Sequence, residues 1–156
     1  MDTVNKETRS RMMSSVRAKD TKLELEIRRR LFAMGFRFRL HRRDLPGKPD
    51  MLFPKYSAVI FIHGCFWHLH GCNRSKLPET RKGWWKTKLE GNQKRDMKTV
   101  SILKSNGWRV MIIWECSVRR SGIVQSEVLD EIADVAAGFL ISQEQYREIP
   151  GIPKEH

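Results

Sequence analysis

Ten consecutive residues, His63-Gly-Cys-Phe-Trp-His-Leu-His-Gly-Cys72, bring three imidazoles and two thiols into one short segment. Thiolates and neutral imidazoles are the ligands of tetrahedral zinc, and a Cys₃His set composes a closed structural site. Cys65, His70 and Cys72, joined by Cys116 at the end of a later apolar run, would form such a set and use every cysteine of the chain. Three cysteines, an odd number, point to metal or catalytic use in a reducing compartment rather than to a disulfide framework. His68 competes with His70 for the fourth position. An ordinary buried thiol at Cys116, with loop histidines, is the competing reading.

Upstream, Asp50 opens a short strand-like run after Pro49, and a turn leads into the apolar run Ala58–Ile62 that His63 ends. If the two runs pair as a hairpin, a carboxylate and an imidazole meet at neighbouring strand ends. That pairing suits metal-assisted phosphodiester hydrolysis, whereas a turn aspartate is the plain alternative. Phe66 and Trp67 lie between the presumed metal ligands, and Trp84-Trp85 opens a long helical stretch. Core burial is the usual fate of such rings. Aromatics projecting from a metal-tied loop beside basic residues would instead suit a wedge driven into stacked bases, with Met13 on the basic N-terminal arm as a second wedge.

Two further features sit on helices. The stripe Trp85, Leu89, Leu103 is interrupted on the same face by Asn92 and Asp96, and polar groups on a core-facing stripe must be hydrogen-bonded or functional. Lys88 and Asn92 stand four apart and so can address a phosphate or a base edge together, unless that face is simply solvated. Glu24 falls in the first turn of its helix, where the dipole favours an acid in any case.

These residues need a scaffold. Asp20 or Thr21 offers an N-cap for a helix carrying Leu23, Ile27, Leu31 and Met34, which Gly35 closes. Alternation from Phe36 to His41 reads as a half-solvated strand, 42–49 as a loop, and 50–53 and 58–62 as strands. A loop over His63–Thr80 leads to a helix over Gly83–Asn106, a buried strand over Trp108–Trp114 and an amphipathic helix over Val128–Leu140. The expected architecture is one α/β domain over 1–156, a mixed central sheet flanked by helices. Residues 1–19 form a basic arm, and 141–156 a frayed tail.

The 156 residues carry 30 Lys and Arg against 18 Asp and Glu, a net charge of +12 that selects a polyanionic partner. A disordered basic tail is excluded by a hydrophobic content of 40% and five Trp. No apolar run approaches a membrane span and the N-terminus lacks an apolar signal core, so a cytoplasmic location without membrane contact is expected.

The run FIHGCFWHLHGC, preceded by LPGKPDMLFPKYSAVI and followed by WRVMIIWEC, together with TRSRMMSSVRAKDT near the N-terminus, resembles the very short patch repair (Vsr) endonucleases. The resemblance spans roughly Thr8 to Arg120 and implies a restriction-endonuclease-like core. The wider superfamily follows Pro-Asp with acid-X-Lys; here Pro49-Asp50 stands, but Phe61-Ile62-His63 replaces the second half. That departure is typical of the Vsr family. The resemblance implies that Asp50 and the backbone carbonyl of Ile62, where Thr is the expected residue, hold Mg²⁺. His68 would be the general base assisted by His63, and Glu24 would reach the metal hydration shell. Zinc would take Cys65, His70, Cys72 and Cys116. Phe66, Trp67 and Trp85 would wedge beside a T:G mismatch, Met13 would enter from the opposite groove, and Lys88 and Asn92 would read the wobble pair. The implied activity is nicking of one strand 5′ to the mismatched thymine by a monomer. A cytosine-5 DNA methyltransferase and a repair polymerase would be its functional companions.

Overall fold

The structure, a computed structural model, describes residues 21–72, 75–120, 123–124 and 126–149. Helix α1 (Lys22–Ala33) starts where Thr21 caps it, its Oγ1 accepting from the Glu24 N–H at 3.3 Å. It ends as Gly35 turns to φ +99° and the Phe36 N–H donates back to the Leu31 carbonyl at 3.1 Å. The expected strand over Phe36–His41 shrinks to β1 (Arg39–Leu40). Phe36 belongs to the helix stop, and Phe36 and Phe38 both turn inward against Phe53.

Strands β2 (Met51–Phe53) and β3 (Ala58–His63) form the anticipated hairpin, with Met51 opposite Ile60. Helix α2 (Lys82–Ser105) then carries the chain to β4 (Arg109–Trp114), which pairs parallel to β3. Gly107, at φ +88°, stops α2 in the same way as Gly35 stops α1, with the Trp108 N–H on the Leu103 carbonyl. A two-residue ladder, β5 (Arg119–Arg120) with β6 (Ile123–Val124), precedes α3 (Ser126–Ile141).

The last described element corrects the expectation of a frayed end from 141 onward: Tyr146–Ile149 is strand β7, parallel to β4. Its polar sequence gave no strand signal, because pairing with a central strand and not side-chain propensity holds it there. The sheet order is β1-β2-β3-β4-β7, antiparallel at one side and parallel at the other. The fold is therefore mixed α/β, a five-stranded sheet with three helices among the described residues. Met13, the 1–19 arm and the final residues from 150 lie outside them.

The two-residue period of the strands divides the core. Ile60, Met111 and Ile113 face α1 and α3 through Ile27, Leu31, Val128 and Phe139. Val59, Phe61, Val110, Ile112 and Trp114 face the other way, toward Leu103 of α2. His63 lies on that second face and is register partner of Trp114. Across the first face, Arg30 of α1 reaches Asp130 of α3 at 2.7 Å. No described helix is long and apolar enough to cross a membrane.

Arg109 locks the C-terminal elements to the sheet. Its buried guanidinium donates to the carbonyls of Phe139, Leu140, Glu144 and Tyr56 at 2.7–3.1 Å. Two of these lie at the end of α3, where unpaired carbonyls and the helix dipole favour a cation. Arg109→Met should cost about 3–5 kcal/mol in urea denaturation, since charged hydrogen bonds are worth more than neutral ones. A loss below about 1 kcal/mol would mean that water substitutes for the clamp.

Candidate active site and metal centre

The hairpin register sets Asp50 level with the end of β3, and the Ile62 N–H donates to Asp50 Oδ2 at 2.6 Å. In a β-ladder one residue's N–H and C=O share an edge, so the Ile62 carbonyl faces the Asp50 side as well. Helix α1 delivers Glu24, only 3% exposed, to the same place. Arg28, one turn on, donates to Glu24 Oε2 at 3.0 Å, and its Nη2 lies 2.9 Å from His41 Nε2. Ligand atoms of Glu24, His41 and Asp50 all lie within 4.8 Å of one another, a set able to hold a cation. Burial pushes the Asp50 carboxyl up to about 7; the Ile62 N–H opposes this, and the neighbouring Glu24 charge adds to it. A buried pair of acids of this kind is relieved by a positive ion.

His63 is buried, and its ring lies parallel to that of His68, with centroids 3.7 Å apart and planes 3° from parallel. Burial, then the neighbouring His68 and His70, hold His63 well below the usual imidazole range, so it is neutral at pH 7. His68 Nδ1 sits 2.5 Å from Asp96 Oδ2. With Nδ1–H donated to the carboxylate, Nε2 of the neutral ring is left as a lone pair. Ligand atoms of His63, His68 and Asp96 also fall within 4.8 Å. Yet imidazoles bind metals in the ring plane at about 2.0–2.1 Å, and two parallel planes at this stacking distance cannot share one ion. The arrangement sets a carboxylate-bonded imidazole against a neutral neighbour.

The second metal set lies one step along the loop. Cys65, His70, Cys72 and Cys116 place one ligand atom each within 4.8 Å of the others. His70 Nδ1 is 3.5 Å from Cys116 Sγ, and the Cys116 N–H approaches Cys65 Sγ at 3.4 Å. Turn bonds shape the loop, with His68 N–H to the Gly64 carbonyl and His70 N–H to the Cys65 carbonyl. Ser75 Oγ donates to the Cys65 carbonyl and accepts from the Gly71 N–H. Cys116 arrives on the 3₁₀ turn Glu115–Ser117 directly after β4. Burial raises the Cys65 and Cys116 thiols and lowers His70. The imidazole is thus already in its ligating form, while the thiols would need a cation to ionise them. Three thiols and one imidazole fit a tetrahedral metal. Of the two histidines that competed for this set, His70 joins the cysteines and His68 turns to Asp96.

Above both sets stand the rings of Phe66, Trp67 and Trp85, with centroids 5.1–5.9 Å apart. Each is only half-buried, and Trp84 beside them is 47% exposed. Lys88 Nζ lies over the Trp84 ring at 5.5 Å. Asn92 Nδ2 donates to the Trp67 carbonyl at 3.1 Å, and its oxygen accepts from Arg95. Gln93 Nε2 donates to the Leu69 carbonyl at 3.2 Å. Helix α2 therefore grips the loop at three points, through Asn92, Gln93 and Asp96.

Two residues escaped the sequence reading. Asp96 was visible as a polar break in an apolar stripe, but nothing local paired it with His68, 28 positions away. His41 ended an alternating segment on its solvent side, and only the folded chain turns it toward Glu24.

A family model described as DNA mismatch endonuclease Vsr matches residues 1–74. The chain is 42% identical over 127 residues to the type II nicking enzyme V.XorIIP of Xanthomonas oryzae, covering 81% of this chain and 93% of that protein. It is 41% identical over 130 residues to the DNA mismatch endonuclease Vsr of Escherichia coli, covering 83% of each. The V.NmeAIP nicking enzyme of Neisseria meningitidis is 38% identical over 77% of this chain and 86% of its own. With identities of this size over most of both chains, the protein belongs to the Vsr family of DNA mismatch endonucleases.

Proposed function

We propose that this DNA endonuclease nicks one strand of duplex DNA on the 5′ side of the thymine in a T:G mismatch, in a reaction that requires Mg²⁺. The observation that supports the reading is that both groups are set at the end of one strand, β3: Asp50 on the Ile62 N–H, and the Asp96-bonded His68 stacked on His63. Asp50, with the Ile62 carbonyl, holds the divalent ion, and Glu24 bonds to its hydration shell. The ion supplies charge to polarise the phosphate and to stabilise the leaving oxygen. His68 takes the proton of the attacking water, Asp96 keeps its tautomer and orientation, and neutral His63 backs the ring. The sheet and helices are read as a restriction-endonuclease-like core, and the Cys₃His set as a structural zinc site.

Phe66, Trp67 and Trp85 enter the stack beside the mismatch, and Met13 does so from the opposite groove. A T:G pair stacks and pairs less well than a matched pair, so opening it costs less, and intercalation converts that difference into selectivity. Lys88 and Asn92 read the wobble pair, Asn92 after exchanging its bond to Trp67. The basic residues grip phosphate without regard to sequence, which makes binding steeply salt-dependent. A single copy suffices for a single nick. Deamination of 5-methylcytosine generates the substrate, so a cytosine-5 methyltransferase precedes the enzyme and a repair polymerase follows it, in the bacterial cytoplasm.

A labelled duplex with one T:G pair, compared with its T:A twin with and without Mg²⁺, tests the proposal. Nicking of the T:G duplex alone, and only with the ion, is expected. Equal cutting of both duplexes would remove the mismatch reading, and binding without cutting would make the protein a DNA-binding module. Asp96→Asn should lower the nicking rate about a hundredfold while DNA affinity stays within a few-fold, because the misassigned tautomer disables only the base. An unchanged rate would separate Asp96 from catalysis.

A further inference from the structure

Under α2 a cavity of about 640 Å³ opens against β4 and β7, lined among others by His63, His70, Asp96, Trp114 and Glu148. Beside it lies a polar atom that the site described above leaves unused. His70 turns Nδ1 toward Cys116, and its Nε2 is buried without a hydrogen-bond partner among the described residues. An imidazole that ligates through Nδ1 must carry its proton on Nε2, and metal-bound histidines almost always donate that proton to a carboxylate, a carbonyl or water. Of the two carboxylates lining the cavity, Asp96 is bonded to His68. Glu148 remains.

Three observations fix Glu148 in that position. Its Oε1 accepts from Trp114 Nε1 at 3.2 Å. The Trp114 ring is stacked on His70, with centroids 4.0 Å apart and planes 11° from parallel. The Tyr146 phenol, two residues earlier on β7, lies beside the same carboxylate. Trp114 thus holds Glu148 with one edge and His70 with its face.

We infer that Glu148 is the outer partner of His70, the carboxylate that takes the Nε2–H when the Cys₃His metal is bound and so orients the imidazole. Glu148 is a positioning residue: it touches neither DNA nor the metal. The inference rests on the Cys₃His set being a zinc site, and it makes strand β7 part of the support for the loop that carries His68, Phe66 and Trp67.

The test compares full-length wild type, Glu148→Ala, Glu148→Gln and Glu144→Gln, the last an exposed carboxylate of the same chain segment paired with Arg147. Zinc retention is read by competition with a chromogenic chelator, and Co²⁺-loaded protein gives the thiolate and ligand-field absorption of the centre. Glu148→Ala should weaken zinc binding about 10- to 100-fold and shift the Co²⁺ bands. Glu148→Gln, which keeps an acceptor oxygen, should recover part of the loss, and Glu144→Gln should match wild type. Urea unfolding of the metal-stripped proteins separates this from simple destabilisation: Glu148→Ala, which also frees the Trp114 N–H, should unfold at somewhat lower urea than the others, and a loss of zinc affinity no larger than that shift explains would overturn the inference. Glu148→Ala with wild-type zinc affinity would overturn the inference while leaving the zinc site intact. Wild type that takes up no zinc would overturn the zinc reading itself, and the inference with it.

Discussion

Asp50→Asn should reduce nicking of a T:G duplex by about a thousandfold and leave binding of that duplex unchanged. The asparagine keeps an oxygen for the Ile62 N–H, so the end of β3 retains its shape. What it loses is the negative charge that attracts the cation. Charge stabilisation by a bound ion is worth several kcal/mol, and about 4 kcal/mol corresponds to about three powers of ten in rate. The same substitution changes stability in the opposite sense. Burial raises the Asp50 carboxyl from an ordinary 3.8 to about 7, so across that window the folded protein holds a proton that the unfolded chain has released. Without divalent ion, stability therefore falls as pH rises from the lower value to the upper, and Asn removes this slope. The variant should be at least as stable as wild type at pH 8 in thermal unfolding, though nearly inactive. Mg²⁺ competes with the same proton, so wild-type nicking should need more Mg²⁺ as pH drops below about 7. An Asn variant within tenfold of wild-type activity would take Asp50 out of the site.

Removing the Cys₃His metal should have an effect of similar size by a different route. Chelator treatment or Cys116→Ser is expected to lower nicking at least a hundredfold while far-UV circular dichroism retains its helix and strand signal. The sheet has apolar cores on both faces; the one built from residues such as Ile60, Met111 and Phe139 contains none of the metal set, while Cys65 joins Val59 and Phe61 in the other. Catalysis lacks that independence. Phe66, Trp67 and His68 all lie between ligands 65 and 72, and a displacement of about 1 Å at a catalytic group can cost about a hundredfold. The grip of Asn92, Gln93 and Asp96 holds the loop at one side only, so it cannot replace the metal. Full activity of protein shown to be metal-free would refute the prediction.

What the sequence disclosed and what it hid follow the range of the forces concerned. Both glycine-closed helices ended at the residues their local chemistry indicated, because a cap is a bargain struck within five positions. The hairpin that carries Asp50 to the end of β3 was legible for the same reason, and so was the Cys/His loop. The choice between His68 and His70 was not. It turns on which imidazole meets Cys116 and which meets Asp96, and those partners come from β4 and α2. His41 and β7 were hidden more deeply. A histidine in a solvated alternation and the polar run Tyr146–Ile149 gain their roles only when α1 supplies Glu24 and β4 supplies an open edge.

The parallel edge of the sheet has a consequence for when, in the life of a chain, DNA is at risk. During synthesis a ribosome releases β3, the histidine loop and α2 well before β7, and β4 gains its outer neighbour only when residues 146–149 emerge. The guanidinium of Arg109 likewise waits for carbonyls 139, 140 and 144. Parallel pairing across long crossovers is slow to form and is reached late. A chain that has not yet reached residue 146 therefore carries Asp50, His63 and His68 on an unfinished frame. The frame that holds these side chains is complete only once residues 146–149 have joined β4.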